Sequence, residues 1–177
     1  METAVLLVVE ELASYIDRWR RDSWASLEPP LRLTDAVPPH ITLLWPWQPD
    51  PCDDEALGRV RSAAAAVAAF DLRFRRVAAF EDGAVFLEPD PSPGLDRLFG
   101  RLVDAFPEYP PYGGQYEKVR LHVTVSVGGG VELANEVAAA GIDVTVHVPS
   151  VSVGRVSAAG QWESLVEVPL GAGRLGG

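Results

Sequence analysis

Two short stretches of the sequence repeat one pattern, His40-Ile41-Thr42 in PHITLLW and His122-Val123-Thr124 in LHVTVSV, 82 positions apart. In an extended strand, residues i and i+2 project from one face, so each stretch sets an imidazole beside a hydroxyl. The chain holds only 3 histidines, and two of them sit in this pattern. Imidazoles with ordinary pKa values of about 6.5 can divide acid and base work near neutral pH. One neutral ring takes a proton from a nucleophile, and the other, protonated, gives one to a leaving oxygen. Threonine hydroxyls can donate to non-bridging phosphate oxygens, and a nearby arginine can offset developing charge. If the two strands lie side by side, these parts suffice for in-line displacement at a phosphodiester without a metal. The third histidine, His147, has Pro149 where the pattern needs Thr, and is read as solvent-facing or structural.

The elements that must position these residues follow from periodicity. Residues 3–9 are β-branched and apolar, a buried strand. Leu12, Tyr15, Ile16 and Trp19 keep helical spacing, with Arg18, Arg20, Arg21 and Asp22 on the other faces. Residues 23–39 read mostly as loop, and 40–47 as a strand ended at Pro46. Asp53, Asp54 and Glu55 suit a helix N-terminus, with a helix running to about Ala69. Leu72 to Leu87 reads as two strands joined at Glu81-Asp82-Gly83. Ser92 and Pro93 open a helix whose apolar stripe ends at Phe106. After the loop 108–117, residues 119–127 alternate cleanly. Their valines and Leu121 face one way, with Arg120, His122, Thr124 and Ser126 opposite. A short helix to Ala140 and strands over 142–148, 151–156 and 164–170 complete the chain, leaving 171–177 as an expected flexible tail. This mixture predicts an α+β fold with mainly antiparallel sheet and one domain over 1–170.

Composition narrows the function. With 25 acidic against 15 basic residues, the net charge is −10. A surface gripping long nucleic acid through many phosphates needs the opposite balance, whereas a small phosphorylated substrate needs only a few cations. No apolar run approaches the roughly 18 residues of a membrane span, and the N-terminus lacks the basic start of a signal peptide. A cytoplasmic monomer is expected. The lone Cys52 fits a reducing compartment and is not read as catalytic. The histidines and Cys52 are not spaced as a zinc set, so neither metal nor cofactor is expected.

The His-x-Thr pair and its surroundings resemble the two-histidine (2H) phosphoesterase superfamily, in particular its bacterial 2′-5′ RNA ligase-like branch. VPPHITLLWPW resembles the first motif of that branch, YPPYGGQYEKVRLHVTVSVG the second, and GQWESLVEVPL its C-terminal hairpin. Leu121 stands where the branch more often has proline. The resemblance implies a two-lobed, pseudo-twofold α+β fold, with antiparallel sheets and flanking helices around a central cleft. It implies hydrolysis of 2′,3′-cyclic or 2′-5′ phosphodiesters of a nucleotide or RNA end. His40 and His122 would be the acid/base pair, His40 as acid and His122 as base, with Thr42 and Thr124 as phosphate ligands.

Substrate contacts rest on placement alone. Arg120 and Lys118 share a strand face with His122 and could meet phosphate; a solvated strand edge is the competing reading. Tyr112 and Tyr116 precede the second motif, and Trp45 and Trp47 follow the first. Any of these rings could stack a base, with core packing the alternative for the tryptophans. Arg155 is not taken as a site residue. The competing functional class is a non-catalytic nucleotide- or RNA-binding module that keeps the fold, although binding alone would not call for two proton carriers.

Overall fold

The computed structural model describes residues 2–32, 34–48, 53–157 and 161–172. Cys52 and residues 173–177 of the expected tail lie outside the described residues. The chain runs β1 (Glu2–Val8), α1 (Ala13–Ala25), β2 (His40–Leu44), α2 (Asp54–Ala65), β3 (Phe70–Ala79), β4 (Val85–Pro89) and α3 (Pro93–Ala105). It continues through β5 (Val123–Ser126), α4 (Gly130–Ala139), β6 (Val144–Val148), β7 (Ser150–Val156) and β8 (Trp162–Pro169). Short 3-10 turns cover Glu10–Leu12 and Pro111–Gly114.

Local chemistry explains where the helices begin. Asp53 caps α2 by accepting from Ala56 N at 2.6 Å, and Ser92 caps α3 by accepting from Leu95 N at 3.3 Å ahead of Pro93. The β3–β4 hairpin turns as expected at Glu81-Asp82-Gly83. Gly83 takes φ +91°, a left-handed angle that glycine adopts without strain, and Asp82 accepts from Ala84 N.

All eight strands join one antiparallel sheet in the order β6-β3-β4-β5-β2-β1-β7-β8. The middle of the chain supplies β3 to β6, and its two ends supply β1, β2, β7 and β8. Among the described residues, the strands of these four-stranded halves pair with each other only at β2 and β5, and the seam's register is Ile41 opposite Val123. The α+β class and antiparallel pairing agree with expectation. The pseudo-twofold symmetry is visible in the order of elements, because β1-α1-β2-α2 is matched by β4-α3-β5-α4. It also appears in the packing: α1 lies against β5, and α3 against β2. Each motif strand thus rests on the helix of the other unit.

Several sequence boundaries shift, among them β2 ending at Leu44 and α2 at Ala65, and three of the shifts have a tertiary reason. The strand expected over 119–127 pairs only over Val123–Ser126. Arg120 O is taken up by an imidazole rather than a neighbouring strand, and Val127 N donates to Ser23 Oγ of α1 at 2.9 Å. That contact also accounts for α1 running to Ala25, past the expected start of loop at Ser23. Ser126, expected on the polar row, is buried and accepts from Gly128 N. At the other end, Gly171 bonds to Ala64 O and Val67 O, so the chain is held one residue into the expected tail.

The apolar side of the seam is core. Ile41, Leu43, Val123 and Val125 are fully buried in one cluster with α1's Ile16 and α3's Leu98 and Leu102. Truncating a buried isoleucine typically costs about 2–5 kcal/mol. Ile41→Ala is therefore expected to lower unfolding stability within that range in urea titration; a loss under about 1 kcal/mol would show that the seam does not carry the fold.

Candidate active site

The seam register decides where the motif side chains go. Ile41 and Val123 point into the core, so their neighbours project from the opposite face of the sheet. Continuing the antiparallel register sets His40 across from Thr124 and Thr42 across from His122. Directly opposed residues lie about 5 Å apart, and diagonal ones about 7–8 Å, which is room for one phosphate between the two imidazoles. All four residues line one cleft of about 660 Å³.

The two histidines are held in the same way. His40 Nδ1 lies 2.7 Å from Pro38 O, and His122 Nδ1 lies 2.6 Å from Arg120 O, in each case the carbonyl two residues earlier. A carbonyl can only accept, so each Nδ1 carries the hydrogen, leaving Nε2 as the proton-exchanging atom of each ring.

Their environments differ. His40 is partly buried on the sheet, and burial, with help from the positive charges of Arg20 and of protonated His122, pushes its pKa down to about 4 against the opposing bond to Pro38. His122 packs edge-on against a stacked pair of phenyl rings, with centroid distances of 4.9 Å to Phe80 and 5.2 Å to Phe86. Burial also lowers its pKa, against the bond to the Arg120 carbonyl; the Arg120 charge lowers it further and Glu88 opposes. By the protein's own groups alone, both imidazoles are neutral at pH 7.

The structure brings together most of the residues singled out in the sequence. Tyr112, Tyr116, Lys118 and Arg120 line the same cleft as the motifs. Tyr112 holds φ +53°, a left-handed angle rare for a side-chain-bearing residue, and its N–H donates to Trp45 O at 2.7 Å. Burial raises the pKa of its phenol, with the Thr42 side chain opposing the shift. Tyr116 meets Tyr112 edge-on and is exposed. Lys118 has no ion-pair partner among the described residues. Arg120 does have one: Glu88 accepts from it at 2.8 and 3.2 Å, and its guanidinium lies over the Phe86 ring.

Trp47 must be corrected. It is 3% exposed and packs edge-on to Phe106 at 5.2 Å, inside the core rather than in the cleft. Position 47 keeps the parity of Ile41 and Leu43, which point into the core, rather than that of His40 and Thr42, which point into the cleft. Trp45, by contrast, is exposed and meets Tyr112 edge-on. His147 lies far from the site in the sheet order, on edge strand β6, and bonds to Asp71 at 2.7 Å. Sequence reasoning missed the wall of Phe80 with Glu81 and Asp82. Its only signal was an aromatic residue directly before a recognised hairpin turn.

Among the described residues, no group of three or more His, Cys, Asp or Glu is placed to hold a metal, and no helix is long and apolar enough to cross a membrane.

Two His-x-Thr strands thus meet at the seam of a pseudo-twofold α+β sheet. The chain belongs to the 2′-5′ RNA ligase superfamily, whose family pattern matches residues 8–156. Among solved structures it is similar to TT0787 of Thermus thermophilus, at 16% identity and TM-score 0.65, with 98% of this chain and 100% of that chain covered. It is also similar to E. coli LigT complexed with 3′-AMP, at 14% identity and TM-score 0.59, covering 96% of this chain and 97% of that one. The ATP complex of LigT matches at 17% identity and TM-score 0.61, covering 96% and 98%. At such identities these structures support the fold. No curated protein sequence matches the chain.

The depressed histidines have a thermodynamic consequence. Unfolded His40 would protonate near pH 6.5 and folded His40 near 4, so between those values the unfolded state binds more protons. Stability from this group is complete above about pH 6.5 and is lost as pH falls towards 4. The amount is about 3 kcal/mol, at roughly 1.4 kcal/mol per pKa unit. His40→Gln should flatten this part of the stability–pH curve measured by urea unfolding, and an unchanged acid slope would contradict the assignment.

Proposed function

We propose that this protein is a metal-independent phosphodiesterase that opens a 2′,3′-cyclic phosphate, or cleaves a 2′-5′ linkage, at a nucleotide or RNA end. The observation that carries this reading is the matched pair of imidazoles. Both are locked by Nδ1 to a carbonyl, both offer Nε2 to one cleft, and each faces a threonine across the seam.

In the proposed reaction, phosphate oxygens rest on the hydroxyls of Thr42 and Thr124. One neutral imidazole accepts a proton from water at Nε2 as the water oxygen bonds to phosphorus. The bond from phosphorus to the departing ribose oxygen breaks, and the other imidazole, protonated, gives that oxygen its proton. The product is a ribose hydroxyl beside a phosphomonoester, and the two rings have exchanged protonation states.

Because the protein holds both rings neutral at pH 7, the proton on the acid must come with the substrate's negative charge. For His40 to serve as acid, bound phosphate has to raise it well above about 4. Lys118 is the cation best placed to meet a phosphate oxygen, since Arg120 is already engaged with Glu88. Tyr112, Tyr116 and Trp45 form an aromatic edge on which a base can stack.

The net charge of −10, with Glu81 and Asp82 at the cleft, supports a small substrate or a terminus rather than a long strand. That LigT has been crystallised with 3′-AMP, NADP+ and ATP supports nucleotides as the class to test. A soluble cytoplasmic monomer is the form in which we expect the protein to act.

The test is turnover of nucleoside 2′,3′-cyclic phosphates in the presence of EDTA. His40→Ala and His122→Ala should each lower kcat by at least about a hundredfold, the scale of a lost general acid or base. Thr42→Ala and Thr124→Ala should weaken both binding and rate. Turnover that survives with both histidines replaced would sink the mechanism; binding of cyclic nucleotide without turnover by the wild type would identify a binding module instead.

A further inference from the structure

The segment entering the first motif is Val37-Pro38-Pro39-His40, and its two prolines bring no backbone N–H with which to join a ladder. The three carbonyls ahead of His40 are nonetheless all engaged. Pro39 O accepts from Val9 N at 2.8 Å, Pro38 O from His40 Nδ1 at 2.7 Å, and Val37 O from the Arg20 guanidinium at 2.6 Å. Arg20 belongs to α1, and periodicity assigns it to the helix's polar faces. Here it is 2% exposed, and its second arm donates to Asp17 at 2.7 Å.

Arg20 does not line the cleft that holds the His-x-Thr pairs. Its guanidinium is buried with Nε unpartnered, a costly arrangement that a purely structural contact would not require. The second motif repeats the device in exposed form. There the carbonyl that holds His122 belongs to Arg120, whose guanidinium is clamped by Glu88. Each catalytic candidate thus takes its orientation from a carbonyl beside an arginine–carboxylate pair: Arg20 holds the preceding carbonyl, Val37 O, and Arg120 carries the orienting carbonyl itself.

We propose that Arg20, backed by Asp17, is a positioning residue for His40: by holding the Val37–Pro38 peptide it fixes the carbonyl that keeps His40 in the Nδ1–H tautomer, with Nε2 turned to the substrate. A ring free to exchange tautomers would present a hydrogen at Nε2 part of the time and could not then accept a proton there. The positive charge of Arg20 also disfavours the protonated ring. The other titratable group bearing on His40 is His122 of β5. The catalytic consequence rests on the phosphodiesterase reading above, whereas the tautomer does not.

The experiment therefore reads both, by histidine ¹⁵N chemical shifts and by steady-state turnover of a nucleoside 2′,3′-cyclic phosphate. In Arg20→Gln, the His40 Nδ1–H fraction should fall and its titration midpoint should rise. kcat should drop by about 10- to 100-fold, the scale of a lost orienting partner, while KM changes by less than about threefold. Arg20→Lys keeps the charge without the two-armed grip, so it should leave the midpoint low and recover kcat only in part. Trp19→Phe loosens the same helix without touching residues 37–40 and should leave the His40 shifts unchanged.

Should Arg20→Gln fail to fold, Arg20→Lys and Asp17→Asn are judged by the same shifts. A folded Arg20 variant that keeps the wild-type tautomer and turns over within twofold would overturn the proposal. If the wild type turns over no cyclic phosphate yet the His40 tautomer follows Arg20, the positioning role stands and the phosphodiesterase reading falls.

Discussion

One row of side chains governs the rest of the molecule. Leu87, Val123, Ile41 and Leu7 stand opposite one another on β4, β5, β2 and β1, and all four are fully buried. This row crosses the pairing of β2 with β5, where the two halves of the sheet meet. Because side chains alternate along a strand, fixing these four in the core fixes their neighbours on the other face. The hydrophobic effect, which has no chemical specificity, thereby aims two imidazoles and two hydroxyls at a common point. A slip of one residue would bury the histidines and expose Ile41 and Val123.

Around that constraint the two motifs are equivalent in plan and unequal in setting. Each imidazole is tied to the carbonyl two residues back. The first is approached by a buried guanidinium and reached through a rigid pair of prolines. The second is flanked by the stacked rings of Phe80 and Phe86 and bordered by an exposed ion-pair network of Arg76, Arg120, Glu88 and Asp90. Surface pairs of this kind contribute little to stability. Their value here is positional, since they hold the side chain of Arg120, the residue whose carbonyl orients His122.

Much of this was legible in the sequence because it is local. Ser92-Pro93 marks a helix start, Asp82-Gly83 a turn, and the alternation through Val123 and Val125 a strand with an apolar back. The two His-x-Thr patterns announce a shared face as soon as the strands are placed side by side. What could not be read depends on distant partners. Arg20 looks solvated on a helical wheel, yet it is buried where it reaches Val37 O on the distant segment that enters the first motif. Trp47 follows the first motif closely in sequence but packs in the core against Phe106, a partner from another element. Phe80 is one aromatic among several until the hairpin carries it to His122. The second motif strand looks longer than it is, because Arg120 O serves an imidazole and Val127 N a serine on α1.

The crossed packing of the helices has a further meaning. The element between β1 and β2 supports the motif strand of the other unit, and the element between β4 and β5 returns the support. This is the contact pattern of two identical subunits that have exchanged an arm, here written into a single polypeptide. Neither repeat owns a complete half-site: cut apart, each would keep its histidine and lose the surface on which that histidine rests. The chain is therefore indivisible at the very place where its symmetry suggests a division.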